Sequence, residues 1–265
     1  MIRVDLHMHT RYCDGANTPE EMVLAAIEKG FEQIGFSGHG YTDFDGSYCM
    51  SPEVTARYMR EIALLKEKYR DRIDILCGIE KDYYSDIATD AFDYVIGSVH
   101  YLKVGETFIP VDESPAILQQ AAQEHFAGDI YALCERYFET VADVAEKTDA
   151  DIIGHFDLIS KFNEGGALFD QTHERYVRAW QSSADRLLKS GALFEINTGA
   201  ISRGYRTEAY PSAEMRAFLT KKGAKWIVSS DAHKKDDIGF RFETYEHCVP
   251  QACTHFVPRR ERNKQ

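Results

Sequence analysis

An α/β fold with a parallel sheet is the class predicted for this 265-residue chain, on three observations. Short apolar segments alternate with segments of helical period along most of the length. Those apolar segments are hydrophobic at nearly every position, as strands covered on both faces must be. The length suits one α/β barrel of roughly 250 residues. The alternation implies right-handed crossovers between parallel strands. At this level a barrel and an open doubly wound sheet both fit. No internal repeat, low-complexity tract or Gly/Ser linker breaks the pattern. One domain over 1–265 is therefore expected, with 258–265 a frayed charged tail.

The elements follow in order. A strand is predicted over 2–6. A helix follows over 18–29, with Thr18 as N-cap, Pro19 at the first helical position, Glu21 completing a capping box and Gly30 ending it. The next strand covers 33–37. Ser51 and Pro52 repeat the start signal for a helix over 51–69. Strands follow at 73–79 and 92–99. Tyr131, Cys134, Tyr137, Phe138, Val141 and Ala145 fall at helical spacing and predict one long helix over 130–148. A strand opens at 151–154. A helix over 172–190 ends at Gly191, and a strand covers 192–196. A helix over 212–222 ends at Gly223, and the last strand covers 226–229. About seven strands result.

Composition narrows the class of function. The chain is 44% hydrophobic and 28% charged, which excludes disorder as its main state. No apolar run reaches about 18 residues, and Arg3 and Asp5 stand where a signal peptide would be apolar, so a cytoplasmic location and no membrane partner are expected. The net charge of −12 argues against an electrostatic nucleic-acid binder. Cys13, Cys49, Cys77, Cys134, Cys248 and Cys253 form no C-x-x-C pair and read as reduced thiols.

The strand ends carry the chemistry. His7-Met8-His9 ends the first strand, Gly38-His39 the second, Gly78-Ile79-Glu80 the third and Val99-His100 the fourth. Gly154-His155-Phe156-Asp157 ends the fifth, Glu195-Ile196-Asn197 the sixth and Asp231-Ala232-His233 the seventh. In a parallel barrel these ends converge on one face. Alternate strand residues share a side, so His7 and His9 can reach one ion with Met8 turned away, and Asp231 with His233 repeats the option. His7, His9, Asp14, His39, Glu80, His100, His155, Asp231 and His233 are the candidate ligands. Nine are too many for one four-coordinate zinc and suit two or three ions. Mixed imidazole and carboxylate donors fit Zn, Mn or Fe better than Mg or Ca. Three carboxylates against three divalent ions leave a charge of about +3, matched to a phosphate dianion.

At these residues the sequence resembles the polymerase-and-histidinol-phosphatase (PHP) family. Asp5-Leu6-His7-Met8-His9-Thr10, Cys13-Asp14-Gly15 and Thr18-Pro19-Glu20-Glu21 look like its first motif, and the later strand ends match its remaining motifs in order, over residues 5–233. The resemblance implies a distorted (β/α)7 barrel, TIM-like, with three divalent transition-metal ions at the carboxyl ends of the strands. His7, His9, Glu80 and Asp231 would hold one ion. Glu80 would bridge to a second, held with His100 and His155. Asp14, His39 and His233 would hold the third. A metal-bridging hydroxide would attack phosphorus, and Asp231 or His233 would protonate the leaving alkoxide. The chain is most similar to the histidinol-phosphate phosphatase branch, through residues 154–159 and 195–212. That implies hydrolysis of L-histidinol phosphate to L-histidinol and phosphate in histidine biosynthesis. Two departures stand out: Cys13 where a serine is common, and Gly38 where many members carry an acidic residue.

A phosphate monoester needs cations besides the metals. Arg203 and Lys161 follow the sixth and fifth strands and are the candidates, with Arg206 and Arg11 behind them. Tyr101 and Asp157, with Asp112 and Tyr205, are candidates for the amine and imidazole of the substrate. His125, His173, His247 and His255 lie off the strand ends and read as structural or surface residues. A phosphoesterase acting on a nucleotide or another small phosphate ester is the nearer alternative. A barrel amidohydrolase is the further one, but it would need a bridging lysine where Glu80 stands. A metal-sensing or scaffold protein without turnover is disfavoured by the full ligand set.

Overall fold

The computed structural model describes residues 2–246 and 252–262. The elements run β1 (Val4–Asp5), α1 (Pro19–Glu28), β2 (Gln33–Phe36), α2 (Pro52–Tyr69), β3 (Asp74–Asp82) and β4 (Tyr94–Ser98). There follow β5 (Tyr101–Val104), β6 (Thr107–Pro110), α3 (Pro115–His125), α4 (Ile130–Val141), α5 (Val144–Thr148) and β7 (Ile152–Ile153). The chain continues with α6 (Glu174–Leu187), β8 (Leu193–Asn197), α7 (Gly199–Ser202), α8 (Ala213–Lys221), β9 (Trp226–Ser229), α9 (Phe242–Tyr245) and α10 (Arg259–Arg262). Seven strands form one parallel sheet in the order β1-β2-β3-β4-β7-β8-β9. Beyond the ends of β1 and β9 a parallel bridge joins Met8 to Ala232, so the sheet is a nearly closed barrel. The open doubly wound alternative is thereby excluded.

The start signals act as the sequence predicts. Thr18 Oγ1 accepts from Glu21 N at 3.1 Å and Glu21 Oε2 accepts from Thr18 N at 2.8 Å, two donors that would otherwise be orphaned. Ser51 Oγ accepts from Val54 N at the head of α2. Buried Met22, Val23 and Ala26 of α1 and Tyr58, Ile62 and Leu65 of α2 recur at helical spacing and pack with Ile34, Phe36, Ile75 and Ile79 of the strands.

Tyr94 ties four strands together. Its ring runs from β4 past Gly78 of β3 and Gly35 of β2, and its hydroxyl donates to the Leu6 carbonyl at 2.5 Å. A methyl group at Gly78 would lie 2.2 Å from Tyr94 Cζ, and one at Gly35 would lie 2.3 Å from its Oη. The ring is fully buried, with no room to retreat. Gly78→Ala is expected to destabilise the metal-free protein by about 3 kcal/mol, measured by denaturant unfolding against wild type.

Four expectations are corrected. The helix predicted over 130–148 is broken between α4 and α5, because the bend turns Val144 and Thr148 onto β4, where Thr148 Oγ1 occupies the space beside Gly97 that a side chain would take. β3 continues past residue 79 to Asp82, so Glu80 stands within the strand rather than after it. The β5–β6 hairpin and α3 were not foreseen. Gly105, at φ +60°, makes the two-residue turn, and Ser114-Pro115 repeats the start signal of α2. At the head of the segment expected to fray, Pro258 and Arg259 are anchored. Pro258 is buried, and Arg259 bonds Asp151 Oδ2 at 2.5 Å and Asp149 Oδ2 at 2.7 Å. Residues 263–265 lie outside the described residues, as do His247 and Cys248. Cys13, Cys49, Cys134 and Cys253 are free thiols. Among the described residues no helix is long and apolar enough to cross a membrane.

Candidate metal centre

The carboxyl ends of the strands bring all nine predicted ligands into one basin. His7 and His9 follow β1 with Met8 turned into the core between them. His39 follows β2 and bridges to Glu80 of β3. His100 follows β4, His155 follows β7, and Asp231 and His233 follow β9. Asp14 returns from the loop after His9. Gly15 makes that return possible, since a methyl group there would lie 2.6 Å from the His9 backbone. Asp231 has φ +51°, a conformation that Asp and Asn tolerate better than other L residues.

Glu80 is the centre of the basin. Its Oε2 lies 3.2 Å from His7 Nε2, 3.4 Å from His9 Nε2 and 3.1 Å from His39 Nδ1. Its Oε1 lies 3.3 Å from His100 Nε2 and 3.0 Å from His155 Nε2. One carboxylate thus faces two sets of imidazoles with two different oxygens. Asp231 Oδ1 joins the first set, 3.3 Å from His9 Nε2 and 3.6 Å from His7 Nε2. A third set forms around Asp14 Oδ2, 3.1 Å from His233 Nε2 and 3.6 Å from His39 Nε2.

The donor chemistry fits divalent cations. His7 Nε2, His9 Nε2 and Glu80 Oε2 are buried and make no hydrogen bond, an arrangement that is costly unless a cation satisfies their lone pairs. Protons satisfy the set poorly. Burial, then His233 and His39, push His9 down to about 3. Burial also opposes protonation of His7, but Glu195, Glu80 and Asp231 outweigh it and raise His7 well above its usual value. His9 rings lie 4.2–5.2 Å from those of His233, His39 and His7, so each added proton repels the next. Among the described residues the potential ion-holding groups are His9-Asp14-His39-His233, His7-His9-Glu80 and His39-Glu80-His100. The basin is therefore suited to divalent metal ions.

Partners behind the ligands were not foreseen. Glu195 Oε1 lies 2.6 Å from His7 Nδ1. Asp82 Oδ2 accepts from His100 N at 2.9 Å and lies 3.4 Å from His100 Nδ1. Asp5 closes the seam between β1 and β9, accepting from Ser230 N at 3.1 Å and Ser230 Oγ at 2.5 Å. Burial nevertheless raises Asp5 to about 6. The available signal was spacing: Asp82 stands two residues after Glu80, and Asp5 two before His7, each on the same face of its strand.

A cavity of about 370 Å³ opens over the basin. Arg203, Lys161 and Tyr101 line it, as do Asp112 and Tyr205. Arg203 donates to Asp231 Oδ2 at 3.0 Å and to the Asp231 carbonyl at 2.9 Å. Lys161 Nζ bonds Asp112 Oδ2 at 3.1 Å and stands 4.8 Å above the Tyr205 ring. Tyr101 donates to Asp45 Oδ2 at 2.5 Å. Asp157 is corrected: it is fully buried and does not line the cavity. It faces Arg206 at 3.6 Å and accepts from Ser212 N, because the 3-10 turn Leu158–Ser160 directs it inward. Arg206 is likewise buried, donating to Ser160 Oγ, and Arg11 is exposed and outside the lining. His173 caps α6 and His125 ends α3, both away from the basin, and His255 is exposed. A larger hollow of about 540 Å³ beside Tyr83, Lys103, Arg136 and Arg186 contains no histidine.

The two sequence departures meet each other. A methyl group at Gly38 would lie 2.9 Å from Met50 Cε and 3.4 Å from Cys13 Sγ. An acidic side chain there would have to displace the end of Met50, and Cys13 Sγ stands 3.5 Å from His9 Nδ1. Lys81, beside Glu80 in β3, turns its amine to the Ile87 carbonyl at 2.9 Å and away from the basin. It supplies no bridge of the amidohydrolase kind.

The description "PHP domain" fits a family model that matches residues 5–199. The chain belongs to the PHP domain family. A "probable histidinol-phosphatase" of Schizosaccharomyces pombe is 29% identical over 262 residues, covering 90% of this chain and 83% of the relative. The fold of this PHP domain matches a crystal structure from Listeria monocytogenes with a TM-score of 0.78 at 22% identity, covering 91% and 99% of the two chains. It also matches the histidinol phosphate phosphatase of Lactococcus lactis, solved with zinc, L-histidinol and phosphate, with a TM-score of 0.69 at 21% identity over 94% and 95%.

Proposed function

We propose that this PHP domain protein is a metal-dependent histidinol-phosphate phosphatase, hydrolysing L-histidinol phosphate to L-histidinol and phosphate in histidine biosynthesis. The observation that carries the reading is Glu80, whose two oxygens face two separate imidazole sets beneath a cavity lined by Arg203 and Lys161. The name of the Schizosaccharomyces pombe relative and the molecules bound to the Lactococcus lactis enzyme support the choice of substrate.

His7, His9, Glu80 and Asp231 would hold one of three divalent transition-metal ions, Glu80, His100 and His155 the second, and Asp14, His39 and His233 the third. Zn, Mn and Fe all suit these donors. Ions so placed supply Lewis-acid polarisation of the phosphoryl oxygens and a water nucleophile at neutral pH. The protein's own groups do the rest. Arg203, whose Nη1 and Nη2 are held by the Asp231 carbonyl and Oδ2, offers its positive charge and its remaining N–H groups to the phosphate. Lys161, steadied by Asp112, adds a second cation at the cavity wall. Tyr101 borders the space left for the alcohol part of the substrate. Asp231 and His233 stand at the same end of the cavity, where a proton can pass to the leaving alkoxide.

Steady-state phosphate release by protein loaded with Mn, Zn or Fe tests the assignment. The expected kcat/KM for L-histidinol phosphate exceeds that for nucleotides and sugar phosphates at least about a hundredfold, roughly 2.7 kcal/mol of transition-state preference. Turnover of the other esters without histidinol phosphate would retain the metal chemistry and sink the substrate.

A further inference from the structure

The end of β8 supplies no metal ligand, yet its two polar side chains touch three of them. Glu195 is buried and lies 2.6 Å from His7 Nδ1 through Oε1. Its Oε2 accepts from the His155 backbone N–H at 2.9 Å and from Asn197 Nδ2 at 3.0 Å. Asn197 Nδ2 also lies 3.3 Å from Asp231 Oδ2. We propose that Glu195 is the positioning residue of the metal centre, fixing the His7 tautomer and the His155 backbone together, with Asn197 extending the link to Asp231.

The chemistry follows from donor counting. Oε2 already receives two N–H groups, so it must be an oxygen. Oε1 is a carboxylate oxygen too, so His7 Nδ1 carries the proton and donates it. With Nδ1 so engaged, Nε2, which points at Glu80 Oε2 and Asp231 Oδ1, is the nitrogen left to give its lone pair to a metal ion. The same carboxylate holds the backbone of His155, the second residue beyond β7, which sets the reach of His155 Nε2 to Glu80 Oε1 at 3.0 Å. One side chain therefore aligns a ligand on each side of the bridging Glu80. In Glu195→Gln one oxygen becomes an NH2 group. Facing Oε2's partners it meets two donors. Facing His7 it forces Nδ1 to accept, which moves the proton to Nε2 and blocks coordination.

This inference rests on the metal reading above, and the experiment separates the two. The full chain, stripped of metal, is titrated with zinc chloride as wild type, Glu195→Gln and Asn197→Ala. Bound zinc is measured at equilibrium. Proton NMR of the zinc-loaded protein reports imidazole N–H groups bonded to carboxylates, far downfield. Glu195→Gln is expected to weaken zinc binding roughly 10–100-fold and to lose one downfield resonance. Asn197→Ala is expected to weaken binding severalfold and to keep that resonance. A folded Glu195→Gln protein that binds zinc like wild type, or keeps every downfield resonance, overturns the proposal. If Glu195→Gln does not fold, wild-type zinc affinity in Asn197→Ala overturns it. A wild-type chain that binds no zinc overturns this inference and the metal reading together.

Discussion

Glu80→Gln lowers kcat for phosphate release at least roughly 10³-fold, equivalent to about 4 kcal/mol of transition-state stabilisation. The effect follows from its place at the centre of five imidazoles, all within 3.4 Å of one or other of its oxygens. An amide there keeps one acceptor and turns the other site into a donor, so it can serve one imidazole set and not both. It also removes the negative charge that would offset the repulsion between cations held by the two imidazole sets. Metal content should fall with activity. The fold should survive, because Glu80 N donates to the Gly38 carbonyl and Gly40 N to the Glu80 carbonyl, which hold β3 against the segment after β2. Circular dichroism of the metal-free variant and its metal content after loading check both parts. A variant that retains full metal and a tenth of the activity would remove Glu80 from the bridge.

Asp231→Asn should reduce kcat roughly 10²–10⁴-fold, the range for loss of a group that handles a proton in the transition state. Two roles converge on this side chain. Oδ1 belongs to the set around His7 and His9, and Oδ2 accepts from Arg203. Asparagine is the informative replacement because it tolerates the left-handed backbone at φ +51°. Alanine would add backbone strain of order 1–2 kcal/mol and confuse stability with chemistry. Arg203 loses its charged partner in the variant, so KM for the ester should change less than kcat. Separate kcat and KM values, with metal content measured alongside, check the outcome.

What the sequence made legible was positional. A strand end is marked by the last apolar residue, and the metal-type side chains came immediately after it at β1, β2, β4, β7 and β9. The barrel then brings those ends together without any long-range guess. Side chains whose role depends on a partner far away in sequence were not legible. His7 and Glu195 are 188 residues apart, and only closure of the barrel makes them neighbours. Asp157 was misread for a local reason. It stands two residues beyond His155, but the chain has already left the strand for a 3-10 turn, so alternation no longer predicts its direction. The β5–β6 hairpin escaped because four residues of alternation, Tyr101–Val104, are too few to stand out beside the apolar run that precedes them. The break between α4 and α5 answers to tertiary packing against Gly97, which a helical period cannot register.

The most direct test of the central claim, a multinuclear metal centre that hydrolyses a phosphate ester, is a titration of the metal-free chain with zinc. Bound ions per chain and phosphate release from L-histidinol phosphate are followed in the same samples. Three ions should bind per chain, with phosphate release appearing only as the basin around Glu80 fills. Release that is unchanged by removing metal, or binding that saturates at a single ion, would contradict it.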